Sequence, residues 1–142
     1  MVKHLTVLLR NTPGEFLSVM QRLKDHGVRT HAFHLASTGP KSGYVQLVCD
    51  DHNRALTALA AQFHLYVQES EVMLLRLQAD PSDIISLLSE FAAQGINIEN
   101  AYQTLDDAGQ TLVVLEAGDD DQLARACLVA REHLGIELVS EL

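Results

Sequence analysis

The residues best suited to bind a ligand stand together after the first predicted strand: Asn11, Thr12, Pro13 and Gly14. A helix is predicted to start here, and the N–H groups at a helix start, aided by the helix dipole, suit a carboxylate. Gly14 has no side chain and allows a ligand to approach the backbone closely. The amide of Asn11 offers both a donor and an acceptor. These residue types suit a ligand that carries a carboxylate.

The elements that position these residues occur twice in the chain, at a constant spacing of 68 residues. Pro13 recurs as Pro81, and Gly27 recurs as Gly95. The same register matches further pairs: Leu9 with Leu77, Ser18 with Ser86, Val45 with Val113, Leu47 with Leu115 and Asp51 with Asp119. A fixed period of this kind indicates a duplicated module. Two domains are therefore expected, at residues 1–70 and 71–142.

The first repeat predicts the order strand, helix, strand, strand, helix, strand. Residues 2–10 alternate as a half-buried strand does. Thr12 and Glu15 match a capping box, with Pro13 as the first helical residue and Gly27 ending the helix. The predicted apolar stripe of this helix is Phe16, Leu17, Met20 and Leu23, with Lys24 at the same spacing. Further strands are expected at 28–37, 44–49 and 65–69, and a helix capped by Asp50 or Asp51 buries Ala55, Leu56, Leu59 and Phe63.

The second repeat predicts the same order. Strands are expected at 72–77, 96–105, 111–117 and 136–139. Asp80 caps a helix opened by Pro81, and its buried stripe is Ile84, Ile85, Leu88 and Phe91. Asp119 starts the last helix, which runs through Leu123, Ala126, Cys127 and Ala130. Each half is thus an α+β unit of the ferredoxin-like type, βαββαβ, with two helices on one face of a four-stranded antiparallel sheet.

Composition excludes several classes of protein. The chain has 142 residues, of which 47% are hydrophobic and 20% are charged, as in an ordinary globular protein. No apolar run approaches the roughly 20 residues of a membrane span. Met1 leads directly into a strand pattern without a signal-peptide segment, so a cytoplasmic location is expected. Cys49 and Cys127 are expected to be reduced thiols.

Charge is distributed unevenly along the chain, whose net charge is −9. Residues 1–70 carry seven Lys or Arg and five Asp or Glu, which gives a net charge of +2. Residues 71–142 carry three Lys or Arg and fourteen Asp or Glu, which gives a net charge of −11. No basic stripe is present, so nucleic-acid binding is not expected. The contrast could assist docking of the halves; the alternative is an acidic surface that maintains solubility.

Catalytic and metal sites are not indicated. His31 and His34 are three residues apart on a predicted strand and point to opposite faces, which disfavours a shared ion. Asp119, Asp120 and Asp121 start a helix and complement its dipole. The sequence has no nucleophile beside a base, no P-loop and no dinucleotide fingerprint, so neither an enzyme nor a cofactor is expected.

The βαββαβ order, with Asn11-x-Pro13-Gly14 at the first strand-helix junction and Gly95-x-Asn97-Ile98 after the corresponding second helix, resembles the ACT domain. The resemblance covers the chain as two tandem ACT domains. It implies a non-catalytic regulatory protein that binds a free amino acid between paired domains. The Pro-Gly loop would come from one domain and the Asn of the second strand from its neighbour.

Comparison of the repeats under this resemblance gives one complete site. The first repeat has Asn11 and Gly14 but carries Arg29 where the second strand should supply Asn. The second repeat supplies Asn97, but its loop reads Ala79, Pro81 and Ser82. The expected ligand-binding residues are Asn11, Thr12, Pro13, Gly14, Asn97 and Ile98, with Arg29 as a further candidate.

Structural explanations stand beside these roles. Helix capping accounts for Thr12, Pro13 and Glu15 without a ligand, and Asn97 could be a solvated residue at a sheet edge. Arg29 could instead pair with an acidic ligand or with the acidic second half.

Partners are expected because each half is small for an independent core and its sheet edges are exposed. A homodimer is expected, and the output is expected to be a partner protein, such as a metabolic enzyme, or the oligomeric state of the protein itself. The competing interpretation is an assembly subunit of an amino-acid metabolic enzyme that binds no metabolite.

Overall fold

The computed structural model describes residues 2–62, 66–78 and 81–141. The chain divides into two units, Lys3–Ser70 and Glu71–Glu141. Phe63, Leu65, Ala79 and Asp80, which carried expectations above, lie outside the described residues.

The first unit has the predicted element order. It contains β1 (Val2–Arg10), α1 (Glu15–Asp25), β2 (Thr30–Ser37), β3 (Ser42–Cys49) and α2 (His52–Ala60), followed by the first part of β4 (Tyr66–Leu77). Neighbouring strands follow the order β2-β3-β1-β4. Both β1 and β2 pair with β3 in antiparallel register, with Leu5 opposite Leu47 and Leu35 opposite Val45.

The second unit repeats this arrangement. It contains the rest of β4, then α3 (Pro81–Ala93), β5 (Ile98–Leu105), β6 (Thr111–Ala117), α4 (Asp120–Leu128), a π-helical turn (Val129–His133) and β7 (Glu137–Leu138). Neighbouring strands follow the order β5-β6-β4-β7. All register pairs described for this unit are antiparallel, for example Leu75 with Val113. The α+β class and the two ferredoxin-like units are confirmed.

Each unit buries its helices against one face of its own sheet. In the first unit, Val19 and Leu23 of α1 pack with the alternating residues Leu5 and Val7 of β1. The second unit places Leu87 and Phe91 of α3 in the equivalent cluster. The side-chain caps of α2 and α4 are confirmed: Asp51 accepts from the backbone N–H of Arg54, and Asp119 from that of Gln122.

Four details of the prediction are wrong. Leu17 and Lys24 are exposed and Val19 is buried, because the buried stripe of α1 follows positions 16, 19, 20 and 23. In α3, Ile85 and Leu88 are exposed and Leu87 is buried. The expected strands at 65–69 and 72–77 are one strand, β4, since no turn residue interrupts Glu69–Glu71. The last strand is limited to Glu137–Leu138 and not 136–139, and a π-helical turn, Val129–His133, follows α4.

Candidate functional site

The loop between β1 and α1 folds as a turn and not as a helix start. The N–H of Glu15 donates to the carbonyl oxygen of Thr12 at 3.3 Å, and the N–H of Thr12 donates to that of Arg10 at 2.9 Å. Gly14 has φ 87° and ψ −10°, the left-handed values of the third residue in a type II turn, and a proline commonly precedes such a glycine. Pro13 and Gly14 thus form the turn that their types favour.

The predicted capping box is therefore wrong. Helix α1 begins at Glu15, its N-cap is Gly14, and no side chain caps its first N–H groups. Thr12 lies three residues before the helix and is exposed. Because the first N–H groups of a helix have no carbonyl partner within it, the N-terminus of α1 keeps donors available beside the turn.

Asn11 links this loop to the turn between β2 and β3. Its side-chain amide donates to Ser37 Oγ at 3.2 Å and to the carbonyl oxygen of Gly39 at 3.0 Å. Its backbone N–H donates to the carbonyl oxygen of Lys41 at 3.1 Å. The residue selected from the sequence as a ligand contact thus has a structural role, holding the loop in place.

Arg10 and Glu15 form an ion pair across the loop. Arg10 Nη2 lies 3.2 Å from Glu15 Oε2. The side chain of Glu15 is only 8% exposed, whereas that of Arg10 is 64% exposed. The loop therefore holds a nearly buried carboxylate beside an accessible guanidinium group.

A pocket of about 220 Å³ opens beside this loop, between β1, the start of α1 and the edge strand β2. Its polar side comprises Arg10, Asn11, Thr12, Glu15 and Ser37, and its apolar side comprises Leu9, Phe16, Leu35, Ala36 and Gly43. The loop residues from Arg10 to Thr12 and Glu15 share this pocket, and Pro13 and Gly14 complete the turn that bounds it.

The second unit has a pocket of about 380 Å³ at the equivalent position. Five lining residues correspond at the spacing of 68: Leu9 with Leu77, Arg10 with Gln78, Phe16 with Ile84, Leu35 with Gln103 and Gly43 with Thr111. No charged residue is among the described residues that line it. Among the described lining residues, charged side chains are thus present in the first of these two pockets and absent from the second.

Arg29, Asn97 and Ile98 lie away from these loops within their own units. Arg29 precedes β2, whose first residue pairs with Cys49, whereas Arg10 at the loop pairs with Ser42. The two ends of β3 are separated by seven residues, or about 23 Å. Asn97 and Ile98 stand in the second unit at the position equivalent to Arg29. No single unit therefore brings the predicted site residues together.

Asn97 lies before β5, whose first residue is Ile98. The prediction that Asn97 lies within a strand is therefore wrong. Asn97 is exposed, its side-chain amide donates to Glu99 Oε1 at 2.8 Å, and its backbone N–H donates to Gln122 Oε1 at 2.7 Å. Ile98, the first residue of β5, is half-buried. The N–H of Arg29 likewise donates to the side chain of Asp50 at 2.9 Å, so both positions are fixed by a polar residue that follows the third strand of their repeat.

The comparisons with known proteins agree with this duplicated architecture. A family model described as an ACT domain pair matches residues 1–137. The chain belongs to the ACT domain-pair family. Its two units are tandem ACT domains, an arrangement typical of amino-acid-binding regulatory proteins.

Solved structures share the fold of this ACT pair at low sequence identity. Protein BT0572 from Bacteroides thetaiotaomicron matches with a TM-score of 0.83 and 20% identity, over 97% of this chain and 91% of that chain. The ligand-free regulatory subunit of aspartate kinase from Thermus thermophilus matches with a TM-score of 0.66 and 14% identity, over 93% of both chains. The regulatory subunit of aspartate kinase from Thermus flavus matches with a TM-score of 0.60 and 17% identity, over 94% of both chains. No curated sequence matches this chain significantly.

Sequence reasoning missed the charged residues of the first ACT pocket. The capping-box pattern assigns Glu15 to the helix start and gives no role to Arg10. The spacing of 68 gave a usable signal, because Arg10 is replaced by Gln78 in the second repeat although the preceding Leu9 is kept as Leu77.

The other polar clusters among the described residues do not form a metal site. Within residues 2–62, 66–78 and 81–141, no group of three or more His, Cys, Asp or Glu side chains could hold a metal ion. Asp119 caps α4, and Asp120 and Asp121 lie in its first turn. In the same part of the chain, no helix is long and apolar enough to cross a membrane.

Proposed function

We propose that this ACT domain pair is a non-catalytic regulatory protein that senses a free amino acid, bound at the interface between paired ACT domains. The proposal rests on one observation: the first repeat combines an uncapped helix N-terminus with a small pocket that has polar and apolar sides. An α-amino acid has the matching chemistry, because its carboxylate suits helix N–H groups and its side chain requires an apolar wall.

The proposed ligand-binding residues are those selected from the two repeats. Asn11, Thr12, Pro13 and Gly14 provide the loop, and Asn97 and Ile98 provide the second-strand contribution from a partner domain. Arg29 stands where the complementary site would need Asn, so one site per chain is proposed. A dissociation constant of about 1 μM to about 1 mM is expected for so small a ligand.

A ligand that contacts two domains favours their bound arrangement by the difference in its affinity for the two arrangements. The signal then passes to a partner protein or to the oligomeric state. A homodimer is proposed, and exposed apolar residues on the edge strand β2, Phe33 and Leu35, support it. Light scattering after gel filtration, with and without amino acids, measures this state.

An assembly subunit that binds no metabolite is the second candidate. The observation that favours it is a pair of exposed apolar side chains at equivalent helix positions, Leu17 at 68% and Ile85 at 65% exposure. Exposed apolar residues that recur in register are typical of protein contact surfaces.

A thermal-shift screen against the standard amino acids separates the two candidates. If the protein is a sensor, one or a few amino acids raise its free energy of unfolding. Once the amino-acid concentration exceeds the dissociation constant, this increase grows with the logarithm of the concentration. No stabilisation across the panel, together with co-purification of an enzyme, would favour the assembly subunit.

A further inference from the structure

We propose that Arg10 and Glu15 recognise the two charges of an aliphatic α-amino acid in the first ACT domain: Arg10 binds its carboxylate and Glu15 binds its ammonium group. This inference rests on the proposed function and assigns the recognition to residues outside the Pro-Gly turn.

The burial of Glu15 is the first observation that points to a ligand. Its side chain is 8% exposed and stands in the wall of the pocket beside Phe16. A carboxylate at the first position of α1 complements the helix dipole, but an exposed carboxylate would do so equally. Because electrostatic interactions are stronger away from water, a nearly buried carboxylate in the pocket wall favours a cationic ligand group there, in addition to its contact with Arg10.

The accessibility of Arg10 is the second observation. Its guanidinium contributes Nη2 to the contact with Glu15, while 64% of the side chain remains exposed. A guanidinium group presents several N–H donors in a planar fork that matches a carboxylate with two parallel hydrogen bonds. Arg10 can therefore bind a ligand carboxylate without giving up its contact with Glu15.

The spacing of the pair fits the ligand. The opposite charges of Arg10 and Glu15 are 3.2 Å apart at Nη2 and Oε2. The carboxylate and ammonium groups of an α-amino acid are attached to one carbon atom and are separated by a similar distance. Such a ligand can lie antiparallel to the ion pair, so that each charge meets its opposite.

The rest of the pocket selects the side chain. Leu9, Phe16 and Leu35 form an apolar side, and the volume of about 220 Å³ is below the range of about 300–1,000 Å³ typical of drug-sized ligands. An acidic or basic ligand side chain would be desolvated against these residues without a partner. A small aliphatic amino acid is therefore favoured over a charged one.

The second ACT domain supplies an internal contrast. Gln78 replaces Arg10, and Asp83, shorter by one methylene, replaces Glu15 at the equivalent position. A neutral amide can donate a single hydrogen bond to a carboxylate, but it has neither the positive charge nor the planar fork of donors of a guanidinium group. The combination of an arginine and a glutamate at these two positions is therefore specific to the first domain.

The test is titration calorimetry on the full chain with L-leucine and two analogues that each lack one charge. Isoamylamine lacks the carboxylate, and 4-methylpentanoate lacks the ammonium group. Because hydrogen bonds to charged groups are lost, each analogue should bind the wild-type protein about 10- to 100-fold more weakly than leucine.

The variants assign each charge to a residue. Glu15→Gln should weaken the binding of leucine about 10-fold or more but leave the binding of 4-methylpentanoate unchanged. Arg10→Met should weaken the binding of leucine by the same factor but leave the binding of isoamylamine unchanged. Asp25→Asn and Lys24→Met, which make the same changes of charge at exposed positions of α1, should bind all three probes like the wild type.

The outcomes separate this inference from the proposed function. If no amino acid binds the wild-type protein, both are overturned. If leucine binds and both variants bind it like the wild type, the sensor function stands and the roles of Arg10 and Glu15 are overturned. Binding of charged amino acids in preference to leucine overturns the aliphatic specificity. Far-UV circular dichroism checks folding, and if Glu15→Gln fails to fold, Arg10→Met at an exposed side chain decides the question.

Discussion

The side-chain amide of Asn11 donates a hydrogen bond to the carbonyl oxygen of Gly39 at 3.0 Å, across 28 positions of sequence. The same amide donates to Ser37 Oγ, so one side chain joins the loop after β1 to the turn after β2. The loop after β1 and Ser37 both line the charged pocket, which makes Asn11 a positioning residue for the proposed site as well as a candidate ligand contact.

Replacing Asn11 should therefore affect binding more than stability. Asn11→Ala removes two exposed hydrogen bonds and should lower the free energy of unfolding by about 0.5–1.5 kcal/mol. The loosened loop should weaken amino-acid binding measured by calorimetry. Asn53→Ala, an exposed position of α2, is the control. Unchanged affinity in Asn11→Ala would contradict the positioning role.

Gly14 provides a test of the turn that replaced the predicted capping box. Its φ of 87° is unfavourable for other L residues, so Gly14→Ala should lower the free energy of unfolding by about 1–2 kcal/mol. Contacts with more distant residues do not contribute, because outside Gly14 and its two neighbours in the chain no heavy atom lies within 4 Å of the added Cβ. Urea denaturation followed by circular dichroism measures the effect.

Gly39→Ala is the matched control for this change. Gly39 lies outside the left-handed region, and its added Cβ would meet Ser42 Oγ at an ordinary 3.9 Å. Equal destabilisation by the two substitutions would show that φ at Gly14 is not the cause.

The fold could be predicted where periodicity and caps are local. The alternation of Leu5, Val7 and Leu9 placed β1 correctly, and Asp51 and Asp119 marked two helix starts because an N-cap acts within three residues. The spacing of 68 then predicted the shared strand order from one repeat to the other.

The site could be predicted only in part. Thr12-x-x-Glu15 fits a capping box, and Pro13-Gly14 fits a type II turn; the local sequence satisfies both patterns. The contact of Asn11 with Gly39 belongs to tertiary structure, and it fixes the loop in the turn conformation. The pairing of Arg10 with Glu15 depends on that turn, so the charged pocket could not be inferred from spacing alone.

Asn97 tests whether one complete site is built from two repeats. Asn97→Ala should weaken amino-acid binding about 10-fold through loss of a charged hydrogen bond, while Arg29→Ala should leave affinity unchanged. Stability should change little, because the side chain of Asn97 is exposed and its described contact is with Glu99. Calorimetry should also give one ligand per chain. Two equivalent sites per chain, or unchanged affinity in Asn97→Ala, would refute the composite site.

Glu69 should make the first ACT domain sensitive to acid. The hydrogen bond from His52 at 2.6 Å, assisted by Lys3 at 3.5 Å, lowers the pKa of Glu69 below its usual 4.5. Because the folded-state pKa is below the unfolded one, this stabilisation is present above pH 4.5 and is lost as the pH falls through the lowered pKa. Glu69→Gln should therefore show a smaller loss of stability on acidification than the wild type. Glu71→Gln, an exposed position of the same strand, is the control, and equal pH profiles in all three proteins would count against the pair.

Cys49 should make the protein sensitive to base. Burial raises the pKa of the Cys49 thiol from 9.0 to about 11. The thiol of an unfolded chain loses its proton near pH 9, whereas the folded chain retains the proton up to a higher pH. The stabilisation of the folded state that results from the raised pKa is therefore fully present below pH 9 and is lost as the pH rises toward 11. The shift corresponds to about 2 kcal/mol between these limits.

The measurement is the free energy of unfolding in urea at several pH values, compared between the wild type and Cys49→Ala. The absolute stabilities differ because the substitution removes a buried sulfur, so the slope with pH is the informative quantity. The decline above pH 9 should be shallower in Cys49→Ala by about 2 kcal/mol in total. Cys127 is only half-buried, although burial also raises its pKa, so Cys127→Ala should flatten the profile less. A steeper decline in Cys49→Ala than in the wild type would contradict the burial of a neutral thiol.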